Sequence, residues 1–129
     1  MGDKSQILRA FNNHFEEFVG DIRRAFPDDV DIETAEKALS RLRKANPKML
    51  MNVFNTCVVK PYRNEINSGD IKFFINKDYS NDIGTEYSNM ILTKIDMLRE
   101  PVGRMESSEQ AKVLKYIQNL MKLCDIYHS

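Results

Sequence analysis

Apolar residues recur at alternating steps of three and four along most of this chain, which is the period of helices with one buried face. Leu8, Phe11, Phe15, Phe18, Ile22 and Ala25 share one side of a helix predicted over about 5–26, and Phe26-Pro27 ends it. Asp28, Asp29 and Asp31 then supply turn and N-cap oxygens for a second helix over about 32–45, with Ala35, Ala38, Leu39 and Leu42 facing inward. Asn46-Pro47 predicts a helix restart, because Asn can cap exposed amides and proline at a first helical position lacks only an amide that had no partner. The third helix carries Leu50, Phe54, Cys57 and Val58. Pro61 is placed to kink or break it before Tyr62 and Ile66 lead to a stop at Asn67-Ser68-Gly69.

Further on, Tyr87, Met90, Ile91, Ile95 and Leu98 mark a helix that starts at about 82 or 85 and ends near 99, before Glu100-Pro101. Val102-Gly103-Arg104-Met105 reads as a linker. Ser107 and Gln110 form a capping-box pattern opening a last helix, on which Val113, Ile117, Leu120, Cys124 and Tyr127 step by four and three. One stretch departs from this rhythm: residues 68–79 set Phe73, Phe74 and Tyr79 among charges and turn formers without a helical period. The strand candidates, 57–60 and 71–75, are short and do not alternate. The expected fold is therefore all-α, a compact bundle of five to six amphipathic helices with an irregular 68–82 connection, forming one domain over 1–129.

Composition narrows the class without naming a reaction. With 42% hydrophobic and 29% charged residues, the 129-residue chain is close to globular averages and unlike disordered or fibrous chains. No apolar run approaches the roughly 18 to 20 residues that span a bilayer, and Met1-Gly2-Asp3-Lys4-Ser5 lacks the apolar core of a secretory signal, so a soluble, unsecreted protein without a membrane span is expected. Gln6 stands where a myristoylation signal wants Ser or Thr. Cys57 and Cys124 fall on apolar helix faces, where reduced, buried thiols are expected.

Acidic and basic residues cancel at 19 each, yet they are unevenly distributed. Residues 1–34 hold eight acids and four bases, 35–63 one acid and seven bases, and 64–100 seven acids and four bases. Within the basic quarter, Lys37, Arg41, Lys44 and Lys48 step by four, three and four, which places four cations on one side of the second helix and the turn after it. Such a stripe can take an anion, whether the phosphates of a nucleic acid or an acidic protein surface, or it can be answered internally by the acidic first quarter.

Candidate chemistry is sparse. His14, His128 and two separate cysteines do not make the converging set a metal needs, so neither a metal site nor a cofactor is expected. His14 beside Glu16 and Glu17 outlines an acid/base unit but reads better as a histidine packing at a helix boundary. The run from Asp28 to Glu33 lacks the glycine and the distant bidentate Glu of an EF-hand and reads better as a capping cluster. No catalytic residue is assigned. Phe73, Phe74 and Tyr79, rimmed by Asp70, Lys77 and Asp78, offer either a lid over the core or aromatic anchors for a partner. Since adjacent side chains point differently, one of the two phenylalanines is expected to pack inward.

Taken in order, Phe11-Asn12-Asn13-His14-Phe15 with Glu17-Phe18, Phe26-Pro27, Ala45-Asn46-Pro47-Lys48, Pro61-Tyr62, and Gly69-Asp70 with the run from Phe73 to Tyr79 and Asp82 form a recognisable series. It resembles a group of small proteins encoded by large eukaryotic DNA viruses, of the chlorella-virus and giant-virus kind, and covers residues 8–83. The resemblance brings no catalytic residues with it. It implies a setting in the host cytoplasm, a viral factory or the virion. The role expected there is that of a non-catalytic interaction or structural protein, such as a minor virion component. The expected partner is a protein, viral or a second copy, met through Asp70, Phe73, Phe74, Lys77, Asp78 and Tyr79, with Lys37, Arg41, Lys44 and Lys48 binding an anionic surface. The alternative is a nucleic-acid-binding accessory factor using the same cations, although such domains usually carry a strong net positive charge.

Overall fold

The alternation of apolar steps translates directly into helices. In a computed structural model of the chain, which describes residues 4–72, 74 and 86–128 but not the side chains of 86–92, 94 and 95, every element is helical. In order these are α1 (Lys4–Ala25), α2 (Val30–Ala45), α3 (Met49–Phe54), a π-helical turn (Asn55–Val59), α4 (Lys60–Ser68), α5 (Glu86–Gly103) and α6 (Ser107–Tyr127). None of them is long and apolar enough to cross a membrane.

The stripe on α1 forms the centre of the core. Phe11, Phe15, Phe18 and Ile22 are almost completely buried, and Phe54 reaches them from the end of α3. The Phe15 ring meets Phe54 at 5.9 Å and 88° and Phe18 at 5.7 Å and 82°, the edge-to-face geometry that aromatic quadrupoles favour. Along its length α1 packs on α6, which buries Val113, Ile117, Leu120 and Cys124, while α2 lies between α1 and α5. A hydrogen bond from the Tyr116 hydroxyl to Asp21 also joins α6 to α1. A single apolar cluster draws on all of these elements, including Leu98 and Val102 of α5.

Phe74 belongs to that cluster. It is 2% exposed and lies 6.4 Å from the Phe18 ring, so it is an inward-facing member of the Phe73-Phe74 pair. This corrects its expected place on a contact surface, since burying the ring removes it from any partner's reach and stabilises the core by about 1.5 to 3 kcal/mol. Phe73, Lys77, Asp78, Tyr79 and Asp82 lie outside the described residues, as do the side chains of Tyr87, Met90, Ile91 and Ile95.

Several helix ends differ from the sequence expectation, each for a local reason. Asn46 closes α2 through its N–H to the Leu42 carbonyl instead of capping the next helix, and Pro47 sits in the turn, where its carbonyl accepts the Asn12 side-chain amide at 3.0 Å. Pro61 neither breaks the run nor leaves it regular: the preceding turn widens to π geometry, with Lys60 N–H bonded to the Asn55 carbonyl, and Tyr62 absorbs the kink at φ −120°. A wider turn accommodates the missing amide and the bulk of the ring without ending the helix. Pro101 lies inside α5, which continues to Gly103, because burial of Pro101 and Val102 holds the last turn. At the start of α6, Gln110 donates its side-chain amide to the Val102 carbonyl and Glu106 is the capping position, so the Ser107–Gln110 box does not form. The stop at Gly69 is as expected, with φ at 82° in the left-handed region that suits glycine.

Candidate functional site

The residues at i, i+3, i+4 and i+7 from Asn12, namely Phe15, Glu16 and Val19, look from α1 toward α2. Two ion pairs mark the register in which the helices meet: Arg43 to Glu16 at 2.9 Å and Arg23 to Glu36 at 3.4 Å. Arg23 lies about two turns after Glu16 on α1, and Glu36 lies about two turns before Arg43 on α2, so the helices run antiparallel with the pairs roughly 10 Å apart. Between them opens a groove of about 410 Å³. Its floor is apolar, built from Phe15, Val19, Leu39 and Leu50, and Ser40 is the short side chain that leaves the space. At one end Asn12 ties α1 to Pro47, while its Oδ1, shielded from solvent, has no partner among the described residues.

The four cations of the stripe divide into two groups. Lys37 is answered within α2 by Glu33 at 3.0 Å, and that lysine holds the Glu33 carboxyl below its ordinary range. Arg41, Lys44 and Lys48 are exposed and pair with no acid among the described residues, and Arg41 stands on the groove wall. Arg43, a half-buried member of the basic quarter, is engaged by Glu16, and Arg63 is held by both oxygens of Asp125 at 2.8 Å, joining α4 to α6. Internal compensation therefore accounts for Lys37, Arg43 and Arg63. The wall's remaining unanswered charge, among the described residues, is Arg41.

The other candidates resolve into structural roles. Asp29 caps α2, accepting from the amides of Asp31 and Ile32, and its second oxygen meets Arg104 at 3.3 Å, which is the capping reading of the Asp28 to Glu33 run. No group of three potential metal-ligating side chains comes together among the described residues. His14 is half-buried against the Tyr116 ring at 4.8 Å, with Nδ1 3.6 Å from Glu17, while Glu16 is committed to Arg43. Asp70 is exposed and accepts the Lys72 amide, a local turn contact. Cys124 is buried, and that burial, helped by Asp125, pushes its thiol up to about 12; Cys57 is half-buried, not fully buried as expected.

The structure thus brings Lys37 and Arg41 together at one groove, with Lys44 on the next turn of α2 and Lys48 outside the helix, in the turn before α3. Sequence reasoning missed the groove itself. The signal for it was small: a serine at 40 between Leu39 and Arg41, opposite Val19 on the partner helix. Comparison with protein-family models, with curated proteins and with solved structures gives no match for this chain.

Proposed function

We propose that this protein is a non-catalytic interaction protein, a structural or accessory component in the viral setting that its motif series implies, and that it meets an acidic protein surface through the cationic face of α2. The observation that carries this reading is the set Arg41 and Lys44 on α2 with Lys48 in the turn after it, exposed and unanswered among the described residues, beside neighbours whose charge is already taken by Glu33 and Glu16. An exposed ion pair contributes little on its own, but unpaired like charges on one face create a field that steers and orients a complementary partner. The apolar floor next to that row suits a protein contact better than a sugar-phosphate backbone, which has nothing to bury there.

The test is a triple variant, Arg41→Glu, Lys44→Glu and Lys48→Glu, tagged and recovered from virus-infected host cells beside the parent protein, with purified virions analysed by mass spectrometry. The expected result is loss of acidic protein partners from the variant while its thermal midpoint is retained. Filter binding of labelled duplex and single-stranded oligonucleotides at two ionic strengths runs alongside. Salt-sensitive nucleic-acid binding that the triple variant loses, with no protein partner affected, would replace this reading by the nucleic-acid one.

A further inference from the structure

The α1–α2 hairpin carries, at its turn, the complement of its own groove. Pro27 and Val30 are exposed there, Val30 at 70%, and they stand among Asp28 and Asp31, which are also exposed. Val30 and Ile126 are the large apolar side chains exposed among the described residues; Val30 stands between the exposed Asp28 and Asp31, whereas the acid beside Ile126, Asp125, is held by Arg63. The groove offers the opposite: a space of about 410 Å³ over Phe15, Val19, Leu39 and Leu50, with Arg41 on its wall. Convex, acidic and apolar-tipped at one end, concave, basic and apolar-floored toward the other, the hairpin is charge-complementary to a second copy of itself.

We infer that the groove is the docking site for the α1–α2 turn of a second copy of this chain, with Val30 seated between the Glu16–Arg43 and Arg23–Glu36 pairs and Asp31 or Asp28 meeting Arg41. This rests on the reading of the cationic α2 face as a contact surface and names its partner. Because turn and groove are different patches, the contact is head-to-tail: each copy has both a donor turn and an acceptor groove, so association proceeds beyond a dimer unless it closes into a ring. The ion pairs at the two ends matter to the fit, since they set the length of the space at roughly 10 Å, enough for one side chain and its flanks. The acids at the start of α2 and the bases at its end also favour the helix dipole. That role is met within one copy and requires no exposed Val30.

The experiment is sedimentation velocity on the full chain across a concentration series at low and at physiological ionic strength. Wild type should show a weight-average mass that rises with concentration and falls with salt. Val30→Asp removes the donor; Arg41→Glu reverses the wall charge, and Ser40→Leu fills the groove. Each should weaken association at least about tenfold with an unchanged far-UV spectrum. The decisive arm mixes Val30→Asp, whose groove is intact, with Arg41→Glu, whose turn is intact. The mixture should form a one-to-one dimer that grows no further. A wild type that stays monomeric overturns the inference, as does a mixture that fails to associate when each variant alone has lost association. If the wild type is monomeric while the triple charge reversal still loses an acidic protein partner, the self-contact falls and the reading of the cationic face stands.

Discussion

Replacing Phe15 by Ala tests whether the aromatic centre on α1 holds the fold together. Phe15 is 1% exposed, and its ring touches Phe11 at 6.1 Å, Phe18 at 5.7 Å and Phe54 at 5.9 Å. Truncating a buried Phe to Ala costs about 3 to 5 kcal/mol through lost transfer energy and the cavity left behind. The two edge-to-face pairs add about 0.5 to 1.5 kcal/mol each beyond area, which pushes the value up, while the groove beside the ring lets neighbours relax and pulls it down. About 4 kcal/mol is the balanced expectation, a large share of the roughly 5 to 15 kcal/mol that stabilises a typical domain. The chain has no Trp, so urea unfolding is best followed by far-UV circular dichroism. With a slope of about 1.5 kcal/mol/M, the midpoint should fall by about 2.5 to 3 M at unchanged slope. Ile117→Ala, which truncates a fully buried side chain on the facing helix α6, should lose about 2 to 5 kcal/mol. A midpoint shift below about 0.5 M in Phe15→Ala would refute the placement of this ring at the centre of the core.

Three further outcomes follow from local geometry. Gly69→Ala should lose about 1 kcal/mol, because φ at 82° strains an L side chain although the new Cβ would meet Leu114 at an ordinary 3.6 Å, and Gly69→Asn should lose less; thermal midpoints compare the two. Since burial pushes the Cys124 thiol up to about 12, Ellman's reagent at pH 8 should leave it unmodified in the folded protein and modify it on unfolding, and rapid native modification of both cysteines would contradict its burial. Arg63 holds the Asp125 carboxyl below its ordinary range, so the unfolded chain binds the proton more readily; the pair's contribution is present above about pH 4 and lost as pH falls through the folded value. The Asp125→Asn variant should therefore differ from wild type in thermal midpoint more at pH 6 than at pH 3, and a constant difference across that range would count against the pairing.

What periodicity carries was legible from the residues alone. The apolar stripes of α1 and α6 required no tertiary information: Phe11, Phe15, Phe18 and Ile22 on one helix and Val113, Ile117, Leu120 and Cys124 on the other are the residues that bury. Helix ends were less legible, because the usual signals compete with packing. Pro61 and Pro101 are ordinarily breakers, yet one is absorbed by a π turn and the other by a buried last turn. Gln110 could have closed a capping box with Ser107 but finds the Val102 carbonyl across the turn, a partner set by how α5 meets α6.

The candidate site was legible only in its raw material. The spacing of Lys37, Arg41, Lys44 and Lys48 identifies a row, but which members keep their charge depends on acids the row does not contain. Glu33, one turn back on the same helix, was within reach of a spacing argument; Glu16, opposite Arg43, appears only when the antiparallel register of α1 and α2 is known. That register does two things at once. By pairing Glu16 with Arg43 and Glu36 with Arg23, it neutralises charge at both ends of the groove, and beside Ser40 it leaves a space lined by Val19 and Leu39. Of the row, the members unanswered among the described residues, Arg41, Lys44 and Lys48, then lie in the last turns of α2 and the turn after it, away from the acidic turn. A sequence with no net charge but unevenly placed charges thereby folds into a hairpin with exposed acids at its turn and exposed cations toward the other end of α2, and it is this separation, not net charge, on which the proposed self-contact rests.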